Sequence, residues 1–89
     1  MKTIYLKTVP TKLEWVLTPN YYKVTERNVM QVSEGNIETD MIEDFHEEIA
    51  FIKGKLIEST DRVCLEITRE EFDKALTAVV NEINHISAA

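Results

Sequence analysis

Eighty-nine residues, 44% of them hydrophobic, are enough for one domain, 1–89, with a single core serving the whole chain. Only two Gly and two Pro argue against a disordered or loop-dominated chain. A net charge of −6 disfavours DNA or anionic lipid as a direct ligand, and no apolar run reaches the roughly 18–20 residues of a membrane span.

The first segment, "KTIYLKTV", alternates Ile4 and Leu6 against Tyr5 and Lys7, which predicts a strand. Lys7 and Lys12 stand where a secretory leader needs its apolar region. With Cys64 as the lone cysteine, a cytoplasmic protein is expected. "KLEWVL" repeats the alternation with Leu13, Trp15 and Leu17, and Pro19-Asn20 supplies turn chemistry. "YYKVT" is then expected as its hairpin partner, and "NVMQVS" as a further short strand closed by Gly35-Asn36.

Thr39 or Asp40 reads as the N-cap of a helix over about 40–56, with Glu43 three residues beyond Asp40. Ile42, Phe45, Ile49, Ile52 and Leu56 form its apolar stripe, which crosses Gly54 intact. "RVCLEI" predicts a strand at 62–67. Thr68 and Glu71 form a capping box for a second helix over 68–86, striped by Phe72, Leu76, Val79, Ile83 and Ile86. The expected fold is α+β: a small antiparallel sheet of N-terminal strands plus the 62–67 strand, one face of it covered by both helices.

Patterns that carry catalysis or metal are weak. Both histidines follow a glutamate by three residues, Glu43-His46 and Glu82-His85, the spacing of carboxylate-bridged di-iron helices. Helical phase places neither pair on an apolar stripe, and twelve glutamates make the spacing common by chance. No calcium-loop spacing fits, and there is no glycine-rich phosphate loop. Cys64, between Val63 and Leu65, reads as a structural thiol. The expectation is therefore no enzyme, no metal and no cofactor.

Charge is segregated along the chain: residues 1–33 sum to +3, residues 34–52 to −7 and residues 53–89 to −2. Within 34–48, Glu34, Glu38, Asp40, Glu43, Asp44, Glu47 and Glu48 face no Lys or Arg. On a helix starting at 40, the macrodipole would favour Asp40, Glu43 and Asp44. The rest would only repel at i,i+4. These carboxylates read either as a structural face, merely solvated or neutralised by the +3 of residues 1–33, or as a docking surface for a basic protein partner, with Glu38, Asp40, Glu43, Asp44, Glu47 and Glu48 supplying charge and Trp15, Tyr21 and Tyr22 anchoring. Inhibition of a nucleic-acid-handling protein by mimicry of its ligand is the concrete form, by analogy with the small acidic inhibitors that phages make. The alternatives are a structural or accessory domain acting as a homodimer, and a single-strand nucleic-acid binder using Lys and Arg interleaved with the N-terminal aromatics.

Overall fold

The computed structural model describes residues 2–10, 19–58 and 62–88. Five strands and two helices follow in the order β1 (Thr3–Pro10), β2 (Asn20–Thr25), β3 (Asn28–Ser33), β4 (Asn36–Met41), α1 (Phe45–Glu58), β5 (Arg62–Ile67) and α2 (Arg69–Ala88). All strand pairs are antiparallel and the spatial order is β4-β3-β2-β1-β5. The expected α+β architecture, an antiparallel sheet with two helices, is therefore present. The strand expected over "KLEWVL", with Leu13, Trp15 and Leu17, lies outside the described residues. β2 pairs with β1 on one side and β3 on the other.

Two short turns set the meander. Between β2 and β3, the Thr25 hydroxyl accepts the amides of Arg27 at 3.3 Å and Asn28 at 3.1 Å. Between β3 and β4, Gly35 supplies φ of +68°, a left-handed conformation that costs a residue with Cβ strain. Ser33 and Asn36 flank that turn in direct register.

The helix expected from residue 40 begins at Phe45, and residues 36–41 form β4 instead. Thr39 and Asp40 therefore cap nothing. Pairing with β3 overrides the weak strand propensity of "NIETDM", and the Ile42 amide donates to the Arg27 carbonyl at 2.9 Å, closing the ladder. The cap is Asp44, whose Oδ1 accepts the Glu47 amide at 2.9 Å. At α2 the expected cap holds: Thr68 Oγ1 accepts the Glu71 amide at 3.2 Å. The Glu71 carboxylate, expected to close the capping box, reaches instead to Lys7 Nζ on β1 at 3.0 Å.

The helices lie on opposite faces of the sheet, correcting the expectation that both cover one. Ile4, Leu6, Tyr22, Val24 and Val29 share a face by register and pack with Ile42, Phe45, Ile49 and Ile52 of the α1 region. Tyr5, Lys7, Tyr21 and Val32 share the other. There Tyr5 meets the Phe72 ring at 5.4 Å, and Lys7 stands 5.9 Å above Tyr21. Tyr and Lys look solvent-facing in the sequence, but each offers an apolar body to a covering helix. Leu6, Val24 and Ile52 are the buried centre on α1's side, Val32 and Phe72 on α2's side.

Topology dictates the path of α1. It joins β4 at one edge to β5 at the other, four strand spacings of about 4.8 Å away, or roughly 19 Å. Its 14 residues span about 21 Å, enough to cross that face. α2 returns over the opposite face, packing on β1, β2, β3 and β4.

Candidate docking surface

The acidic run divides among three elements. Glu34 sits in the β3–β4 turn, Glu38 and Asp40 on the α1-side face of edge strand β4, and Glu43, Asp44, Glu47 and Glu48 around the start of α1. The carboxylates do not make one row at helical rise.

Local physics accounts for five of them. Asp44 is the cap, and Glu47 and Glu48 occupy the first turn, where the helix dipole favours negative charge by about 0.3–1 kcal/mol each. Glu38 and Asp40 put charge on an edge strand, a common guard against edge-to-edge aggregation. Glu34 and Glu43 have no such role.

What the sequence did not reveal is the company these groups keep. Glu43, Asp44, Glu47 and Glu48 line a concavity of about 500 Å³ together with Met41, Ile42 and Phe51. Met41 is 91% exposed and Phe51 55%. One signal was available: Phe51 stands off the stripe of Ile49 and Ile52, so an apolar ring had to face outward. Met41 could be recognised only once β4 was known to be an edge.

Ion pairs among the described residues leave this surface alone. Among the described residues they are Lys7–Glu71 at 3.0 Å and Arg69–Asp73 at 3.4 Å, neither involving residues 34–48. The hydrogen bond from Lys7 to Glu71 holds that lysine above its ordinary pKa, against an opposing effect of burial.

The aromatic anchors do not gather at the acidic groups. Tyr21 lies on the α2 side and lines a smaller apolar cleft with Val32, Ala75, Ala78 and Val79. Tyr22 lies on the α1 side against the core, and Trp15 is outside the described residues. Tyr5, Tyr21 and Tyr22 are partly covered by helices on one face or the other, so they form no open stacking platform.

The two Glu-x-x-His pairs are separated by the sheet. Glu43 precedes α1, His46 is exposed with its ring edge-on to Phe45 at 5.4 Å, and His85 is exposed on α2. Among the described residues no group of three His, Cys, Asp or Glu side chains is placed to hold a metal. Cys64 faces α1, and burial pushes its thiol pKa up against the pull of Lys53. Among the described residues no helix is long and apolar enough to cross a membrane.

The class defined by these features is a small α+β domain, its sheet between two helices, with a mixed acidic and apolar surface at one end. Comparison with models of known protein families, with curated proteins and with solved structures found no match.

Proposed function

We propose that this is a non-enzymatic interaction domain of the cytoplasm that docks its acidic surface on a basic patch of a partner protein. One observation carries the reading: the carboxylates of Glu43, Glu47 and Glu48, without cationic partners among the described residues, border exposed Met41 and Phe51. Charge on the rim steers encounter and selects the partner, while the apolar side chains hold the complex once formed. A partner that handles nucleic acid fits best, because its basic groove would be blocked by a competing polyanion. Glu38 and Asp40 extend the negative surface along β4.

The test is capture of a basic protein from the source cell by immobilised domain, followed by kinetics on the purified pair. Glu43→Gln, Glu47→Gln and Glu48→Gln are combined in one variant, with Asp44 kept so that α1 stays capped. The reading expects capture to fail in high salt and the variant to associate at least about tenfold more slowly, with a smaller change in dissociation. Capture that survives both high salt and the triple substitution would overturn it.

A further inference from the structure

Among the described residues, β4 is an edge of the sheet, and the phase of its backbone follows from one bond. The Ile42 amide donates to the Arg27 carbonyl at 2.9 Å, and the β3–β4 register continues from that pair. Hydrogen-bonded and non-hydrogen-bonded pairs alternate in an antiparallel ladder, so Asn36, Glu38 and Asp40 turn their N–H and C=O groups to β3. Ile37, Thr39 and Met41 turn theirs outward. Side chains alternate with the same period, Glu38 and Asp40 standing exposed on the α1 side and Ile37, Thr39 and Met41 on the α2 side. Glu38 accepts the Asn36 side-chain amide at 3.2 Å, and neither carboxylate has a cationic partner among the described residues.

We propose that a basic, extended segment of the partner protein adds to this edge as a further strand, antiparallel to β4, with Lys or Arg at two alternate positions. The inference rests on the docking reading above and deepens it by naming how the partner engages. Outward N–H and C=O groups at Ile37, Thr39 and Met41 call for a strand, and carboxylates at alternate positions of one face select which. Residues of the added strand opposite Glu38 and Asp40 form non-hydrogen-bonded pairs, where Cα atoms lie about 4.5 Å apart and side chains come closest. Lys or Arg there makes two opposite-charge cross-strand pairs. The residue between them pairs through its backbone with Thr39. Those outside them fall opposite Ile37 and Met41, where apolar side chains cover Met41, 91% exposed in the free domain. The segment therefore reads apolar, basic, any residue, basic, apolar.

A second copy of this chain does not supply such a segment, because none of its five strands holds two cations. A second β4, paired antiparallel about Thr39, would set Glu38 against Asp40 of the other copy, and like charges oppose it. The carboxylates that guard this edge against copies of the domain are thus the ones that admit a basic strand.

The probe is a capped peptide with the central residues Val-Lys-Thr-Lys-Val, titrated into the isotope-labelled full chain. Binding should shift the amide resonances of Ile37, Thr39 and Met41 and slow their exchange with solvent. Two derivatives of unchanged charge test the direction of pairing. Methylating the threonine amide, which faces β4, should weaken binding by about tenfold, whereas methylating the lysine amide that follows it, which faces away, should cost about threefold at most. Glu38→Lys combined with Asp40→Lys should weaken the peptide by about tenfold or more, and that variant should bind Val-Glu-Thr-Glu-Val instead. Circular dichroism melts establish that the variant folds. Equal losses from the two methylations, or shifts confined to Glu43, Glu47, Glu48 and Phe51, would overturn strand pairing and leave the docking reading standing. Failure of the unmethylated peptide to bind at millimolar concentration would overturn it too. The triple Gln substitution at 43, 47 and 48 leaves β4 intact, so a partner indifferent to it counts against the docking reading itself.

Discussion

Removing the Asp44 side chain tests both where α1 begins and why. Its Oδ1 accepts the Glu47 amide at 2.9 Å, satisfying one of the amides that a helix start leaves without a partner. Asp44→Ala deletes that bond at a cost of about 1 kcal/mol, within a range of roughly 0.5–2. The lost charge at the helix start adds about 0.3–1 kcal/mol at low salt. Together these lower the melting midpoint by roughly 5–15 °C, since 1 kcal/mol moves a domain of this size by about 4–8 °C. Asp44→Asn keeps the acceptor and should lose only the charge contribution, which salt then screens. Asp40→Ala, on exposed β4, should stay within about 0.5 kcal/mol of the parent. Thermal and urea denaturation followed by circular dichroism, at low salt and at 1 M, measure all three (1 M gives a Debye length of about 3 Å). If Asp40→Ala is the damaging change and Asp44→Ala is neutral, the helix begins at 40 and residues 36–41 are not a strand.

The two glycines should respond with opposite sign in urea denaturation. Gly35→Ala should cost about 1–2 kcal/mol because φ of +68° strains any L side chain, whereas Gly54→Ala, in helix with open space around it, should gain about 0.5–1. Lys7, its pKa raised by Glu71, adds stability that is complete below its ordinary value of 10.5 and lost as pH rises through its folded value. Glu71→Gln should therefore shrink the alkaline loss seen in melts from pH 9 to 12, by a fraction of a kcal/mol because the pair is partly exposed. Cys64, its thiol raised by burial, should alkylate with iodoacetamide at pH 8 more slowly in the native protein than in urea, and equal rates would refute its packing against the core.

The parts of the fold written in local chemistry were legible. "RVCLEI" alternates cleanly into β5, and Thr68 with the Phe72 stripe marks α2 to within a residue or two. The start of α1 was not legible, because Ile42 shares the helix's core contacts without being helical. The apolar stripe therefore ran past the true cap and made Thr39 and Asp40 look like one. β4 was hidden because strand identity in "NIETDM" comes from β3, not from its own residues. The placement of the helices depends on Tyr5 and Lys7, whose amphipathic side chains leave the facing of a strand ambiguous. As for the surface, its carboxylates could be named from sequence, but Met41 and Phe51 needed the fold to bring them beside Glu43 and Glu47.

The crossing of α1 from one sheet edge to the other has a consequence for how the chain is made. β2, β3 and β4 are joined by tight turns and can pair as soon as they leave the ribosome. β5 docks on β1 across residues 11–61, so that closure pays the largest loop entropy in the sheet. Until then α1 has no fixed far end, and α2, which follows β5 in the chain, is not yet in place. The nascent chain thus carries a meander bare on both faces, with Leu6 and Val24 open on one and Val32 on the other. Chaperones and proteases would meet this half-built sheet rather than the fully unfolded chain. In the finished protein the same closure should open first: amides of β5 and α1 exchange with solvent ahead of those in β2 and β3.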